Sequence, residues 1–224
     1  CISPDSFVKK IDGISVDTLL NENFDNSDLI KNNLCMAMNG TCYNRDCGFF
    51  SDILKRMYDD RVKFKELQLE YEKKIEVEKN EKELKILKNF KSKYYNLQNI
   101  KKICLNSCYG FIGNEYSRFY DVDLAEAVTI SGQYVVRMVA NRINNYLNNI
   151  LKTDGVDYIV YSDTDSVYIG FDSLVNKFFS KQDKDKVYKV LCKICEEQIS
   201  PIIIQCFKYI SKTFNTKSNF LFMN

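Results

Sequence analysis

Histidine is absent from all 224 residues. Its absence removes Ser-His-Asp and Cys-His nucleophile systems and every histidine-containing zinc site. Chemistry must therefore rest on carboxylates, Lys, Arg, Tyr, hydroxyls or thiols. Proline occurs only at Pro4 and Pro201, and glycine eight times, so the chain reads as mainly regular structure with few breaks. An excess of one charge is lacking too: 32 Lys and Arg against 30 Asp and Glu leave +2. Any nucleic-acid site must then be local rather than a property of the whole surface. No apolar run approaches the roughly 18 residues a membrane span needs, and no signal peptide is visible. These absences predict a soluble, cytoplasmic chain without a membrane partner.

Cysteine, by contrast, is plentiful, with nine residues. Most sit inside apolar patterns, such as Cys104 and Cys108 in KKICLNSCYG and Cys206 in IIIQCF. That placement suits buried free thiols in a reducing compartment. Cys192 and Cys195 form a lone CxxC; with no second pair, they read as one face of a helix rather than a metal site.

Residues 1–48 read as irregular, apart from a hairpin in MNGTCYNRDCG (38–48) with its turn near Asn39-Gly40 or Asn44-Arg45. From Phe50 to about Lys79 the pattern is helical and highly charged, and a second helix runs from about Glu83 to Cys108. The polar NEKE between them predicts a long antiparallel helical hairpin. YGFIGNEYSRFYD (109–121) reads as extended. A long helix follows, with Val128, Val135, Val139, Ile143, Leu147 and Ile150 spaced for one face. Then come a strand pair around Asp163, two helices over 172–215 split at Ser200-Pro201, and a closing strand in NFLFM. Mixed helices and strands with an antiparallel hairpin predict an α+β fold.

The stretch VDYIVYSDTDSVYIGF (156–171) carries Asp163 and Asp165 between apolar runs. On a strand, residues i and i+2 point the same way, so both carboxylates could face one side of the hairpin tip. Two acids so close repel unless a cation sits between them. Oxygen ligands without imidazole or thiolate select a hard ion, Mg²⁺ or Mn²⁺, and phosphoryl transfer is the natural chemistry. An ordinary solvated turn is the competing reading, since Asp favours turns.

Cations supply a second pattern. Arg61 and Lys65 are i, i+4 on the first hairpin helix, and Lys102, Asn106 and Tyr109 follow i, i+4, i+7 on the second. Folding the hairpin near residue 81 puts Arg61 and Lys102 each about 30 Å from its tip, at the same level. Cations converging at one level suit a triphosphate.

KKICLNSCYG resembles the K-x-x-x-N-S-x-Y-G motif in the fingers of family B DNA polymerases, with Lys102, Asn106, Ser107, Tyr109 and Gly110 in the matching places. YSDTDS (161–166) is similar to the palm motif Y-G-D-T-D-S, and GFFSDILKRMYDDRVKFK (48–65) resembles the entry to the fingers. ISPDSF, GNEYSRFYD, GQYVVRMVANRINNYLN and NFLFMN extend the likeness, towards the T-even bacteriophage replicative branch, over essentially the whole chain.

The resemblance implies a palm (1–49 and 109–224) with an antiparallel sheet and packed helices, and fingers at 50–108. It implies template-directed DNA synthesis from dNTPs on primer-template DNA, in viral replication within a host cytoplasm. Asp165 and, in an auxiliary role, Asp163 would hold the catalytic Mg²⁺ ions of a two-metal site. Arg61 and Lys102 would grip the dNTP phosphates with Lys65 assisting. Asn106 would support the triphosphate site, and Tyr109 would pack against the nascent base pair. Tyr158, Val160, Val167 and Tyr168 would anchor the aspartate hairpin.

Two departures shape the expectation. Ser162 stands where the family motif has Gly. The D-x-x-S-L-Y-P-S motif with the family's first catalytic Asp is missing, as are the exonuclease and thumb. The chain is thus expected to be a partial enzyme, inactive alone and completed by missing segments or a complementary chain. The alternative is a non-catalytic helical interaction module that docks through the mixed-charge hairpin 62–95.

Overall fold

The computed structural model describes residues 3–21, 24–46, 48–179 and 183–216. In chain order, a 3-10 turn at Pro4–Ser6 leads into β1 (Phe7–Lys10), α1 (Val16–Asn21), α2 (Ser27–Lys31), β2 (Leu34–Met36) and β3 (Thr41–Asn44). The long helices α3 (Phe49–Val77), α4 (Glu81–Ile112) and α5 (Val122–Leu151) follow. The strands β4 (Ile159–Asp163) and β5 (Ser166–Ile169) precede α6 (Asp172–Phe178), α7 (Lys184–Ile194), a π turn (Cys195–Ile199) and α8 (Ser200–Thr213). The fold is α+β. It divides into two compact units: residues 7–46 with those from 126 onward, and residues 3–6 with 48–125.

In the first unit, β1, β3 and β2 form an antiparallel sheet in that order. The described residues before 49 are therefore more regular than their pattern implies. All four residues of β1 are exposed, and β2 is buried throughout, so neither shows the alternation that marks a half-buried strand. The β2–β3 turn falls at Asn39-Gly40, where the Gly40 φ is 83° and a Cβ would sit 2.2 Å from the Ile11 carbonyl oxygen. Only glycine fits there.

The core of this unit gathers around α5. Tyr134, Val135, Met138, Val139, Ile143, Leu147 and Leu151 are buried against Leu34 and Met36 of β2, Val16 and Leu19 of α1, and Cys206, Phe207, Ile210 and Phe214 at the C-terminal end. Each fully buried aliphatic side chain contributes about 1.5–3 kcal/mol. The interior of the apolar face expected from the sequence holds, but its ends do not: Val128 is 42% exposed and Ile150 36%. Phe214 packs on Phe24 and, edge-on, on Tyr134 at ring separations of 5.9 and 5.6 Å.

Among the described residues, three helices and a π turn stand in the region expected to hold two. Pro201 does not break the chain: the backbone stays helical from Lys184 through the π turn to Thr213, and the π turn just before the proline absorbs the hydrogen bond it cannot donate. The expected NFLFM strand lies outside the described residues.

In the second unit α3 and α4 form the expected antiparallel hairpin, bent at Glu78–Asn80. The Asn80 side chain accepts from the Lys82 N–H and caps α4. Phe64 stacks on Tyr94, and Tyr71 on Phe90 and Tyr94, with centroids 6.3, 5.2 and 5.5 Å apart.

The segment expected to be extended (109–121) is not. α4 continues to Ile112, and turns follow, built by Asn114 and Ser117 side chains accepting from the Tyr116 and Phe119 N–H groups. Asp121 then caps α5 at the Leu124 N–H. The cysteines among the described residues are free thiols, and no described helix is long and apolar enough to cross a membrane.

Candidate active site

The aspartate hairpin hangs from α5 by a set of amide contacts. The Asn144 Oδ1 accepts from the Tyr158 N–H at 2.9 Å while its Nδ2 donates to Asp157 at 2.7 Å. Asn148 holds the carbonyl of Val156 at 2.8 Å, and Thr153 meets the Tyr158 hydroxyl at 2.7 Å. Asp157 accepts from the Ile159 N–H, which is the main cause of its lowered pKa, followed by the Asn144 amide.

Of the four residues expected to anchor the hairpin, Tyr158 is buried and Val167 half-buried. Val160 is 75% exposed and Tyr168 57%. Both strand positions face away from the core, so anchoring falls instead to the Asn144 and Asn148 clamps. Those clamps were hidden in an asparagine-rich stretch, because nothing local marks which amides reach a distant loop.

At the tip, Asp163 pairs with Ser166 across a two-residue turn of Thr164 and Asp165. Asp165 thus sits in the turn rather than on the strand, and strand alternation does not govern the direction of its carboxylate. Both acids are exposed. Thr164 donates its hydroxyl to Asp163 Oδ1 at 2.9 Å, and Ser166 donates to the Asp163 carbonyl at 3.2 Å. Thr164 has a φ of 31°. For a β-branched residue that is a strained conformation, costing on the order of 1–3 kcal/mol and found mainly where function requires it.

Among the described residues no group of three or more Asp, Glu or Cys side chains gathers for a metal. Asp163 and Asp165 supply two exposed carboxylates at the tip. That donor set fits Mg²⁺, which is held through one or two carboxylates and completes its shell with water and phosphate oxygens. It does not fit zinc.

The other candidates stand on the α3–α4 hairpin. Lys101 meets Asp60 at 2.6 Å, and Lys91 pairs with Glu72. These cross-links set the register, and they put Arg61 and Lys102 at the same level, as counting from the bend predicts. Arg61 is half-buried, and its Nε is enclosed without a hydrogen-bond partner. Lys65, Lys102, Asn106 and Tyr109 are exposed, and among the described residues their side chains make no hydrogen bond or ion pair. Lys101 is paired with Asp60, whereas its neighbour Lys102 has no ion-pair partner among the described residues.

Residues 14–200 match the family profile of DNA polymerase family B, and the chain belongs to that family. It is 32% identical over 126 residues to the DNA-directed DNA polymerase of Escherichia phage RB69, an overlap covering 55% of this chain and 14% of the phage protein. The DNA-directed DNA polymerase of Enterobacteria phage T4 is 31% identical with the same coverage. The DNA polymerase alpha catalytic subunit of Arabidopsis thaliana is 34% identical over 122 residues, covering 50% of this chain and 8% of that subunit. The matched region thus spans about one-seventh of the length of the phage relatives.

Proposed function

We propose that this chain is the central palm-and-fingers portion of a DNA-directed DNA polymerase of viral type, working on primer-template DNA inside a host cell. Residues 1–49 and 109–224 serve as palm and 50–108 as fingers. The observation that carries the reading is the exposed aspartate pair, held at a strained and well-anchored tip, in a chain that belongs to this family.

Asp165, with Asp163 in support, holds the divalent ions through its carboxylate. Bound Mg²⁺ lowers the pKa of the primer hydroxyl and neutralises charge on the phosphates. Arg61 and Lys102 receive the triphosphate, the guanidinium through paired donors and the ammonium as a point charge. Lys65 adds a further positive charge one helical turn along from Arg61. Asn106 lends its amide to the phosphates, and Tyr109 offers an aromatic face to the nascent base pair. A separate segment or chain supplies the remaining carboxylate, so the chain alone is inactive.

The reading is tested by titrating the chain with dATP and Mn²⁺ while following NMR signals. Expected are shifts of the Arg61 and Lys102 side-chain signals and paramagnetic broadening at 163–166. Arg61→Ala and Lys102→Ala should each weaken dATP about tenfold. A titration in which neither segment responds overturns the reading.

A further inference from the structure

α5 is rich in asparagine, a poor helix former. Asn144 and Asn148 are accounted for by the clamps on the 153–158 loop. Asn141 and Asn145, again i, i+4, are not: among the described residues neither side chain makes a hydrogen bond. Both line a cleft of about 300 Å³ between α1, α5 and α8, together with Leu19, Leu20, Tyr134, Met138, Arg142 and Tyr209. No carboxylate is among its lining residues.

Two features of its lining bear on what the cleft could hold. Tyr134 is only 2% exposed, its ring fixed edge-on against Phe214, yet among the described residues its hydroxyl takes no hydrogen bond. The hydroxyl is not among the enclosed polar atoms without a partner, so it is open to the cleft and free to donate to an outside acceptor. Burial raises the Tyr134 pKa to about 12, so the group remains a neutral donor at working pH. Arg142 lies close enough to oppose that rise and the one at Cys206. Its guanidinium has no ion-pair partner among the described residues. By contrast Arg137, on the same helix, is paired with Asp17 at 2.6 Å.

We propose that this cleft binds a small organic anion, with the charged group on Arg142, Asn141, Asn145 and the Tyr134 hydroxyl and an apolar body over Leu19, Leu20 and Met138. Five guanidinium N–H groups, two amides and a hydroxyl match the acceptor oxygens of a phosphate or a carboxylate. The volume lies at the lower end of that of small-molecule sites. The site is independent of the aspartate hairpin and of the α3–α4 cations.

Calorimetric titration of the chain with phenyl phosphate, phenylacetate and inorganic phosphate tests this. Phenyl phosphate or phenylacetate should saturate at one equivalent, and the tighter of the two identifies the headgroup. Inorganic phosphate should bind at least tenfold more weakly, because it lacks the apolar body. Arg142→Gln and the double variant Asn141→Ala, Asn145→Ala should each lose tenfold or more in affinity, whereas Arg137→Gln should keep it. NMR of the Arg142 Nε–H reports on binding even where a variant folds poorly. Lack of saturation by both aromatic anions overturns the proposal, as does equal weakening by Arg142→Gln and Arg137→Gln.

Discussion

Thr164 is where local preference and function conflict. A β-branched side chain is held at a φ of 31° between the two candidate metal ligands, and its hydroxyl steadies Asp163. Replacing it by glycine removes the steric cost and also that hydrogen bond. The first effect is the larger, so Thr164→Gly should raise the thermal midpoint by about 2–4 °C. It should lower nucleotidyl transfer in a completed enzyme, because Asp163 is no longer held. A fall in the midpoint by differential scanning calorimetry would show that the turn is not strained. The two acids should also differ. Asp165→Asn should lower the incorporation rate by about 10³-fold, the several kcal/mol expected for loss of a metal ligand, and Asp163→Asn by about tenfold. Single-turnover kinetics of the reassembled enzyme measure both.

At the level of elements, the α3–α4 hairpin is held by stacked rings and by cross-strut ion pairs, Lys91 with Glu72 and Lys101 with Asp60, rather than by a buried core. Tyr71 stacks on both Phe90 and Tyr94. Tyr71→Ala should therefore cost about 1–3 kcal/mol at roughly 0.5–1.5 kcal/mol per ring pair. Loss of helical signal at lower urea concentration, read by circular dichroism, checks it. The loop below the aspartate hairpin should respond to acid. The Asp157 carboxylate is favoured in the folded state by the Ile159 N–H and the Asn144 amide, so its folded pKa lies below its unfolded value. Its stabilisation is present above about pH 4 and is lost as pH falls through the folded pKa. Asp157→Asn should lower the midpoint at pH 7 and make no difference near pH 2; a constant difference at both would remove Asp157 from the anchoring.

The hairpin and the long core helix were legible from the sequence because their 3.6-residue periodicity is sustained over many turns. The strands β1 and β2 were not, since one is exposed and the other buried throughout and neither alternates. The segment 109–121 reads as extended from its aromatic residues, yet the turn chemistry of Asn114 and Ser117 shapes the chain after Ile112. The candidate site residues were picked out as motifs. The turn position of Asp165, the neutralisation of Lys101 by Asp60 and the Asn144 clamp depend on distant contacts that no local pattern encodes.

On the scale of the whole molecule, Asp163 and Asp165 belong to one compact unit and Arg61, Lys65 and Lys102 to the other. The chain overlaps only 14% of its phage relatives, so the reaction is best sought with the rest of a polymerase restored. The decisive measurement is Mg²⁺-dependent primer extension. The chain should be assayed alone, then with separately expressed upstream and downstream polymerase segments that carry the first catalytic carboxylate and the thumb. Extension only in the mixture, abolished by Asp165→Ala, is the predicted result. Extension that survives Asp165→Ala, or none in any combination of folded pieces, would contradict the assignment of Asp165 and leave the α3–α4 hairpin to be tested as a docking arm.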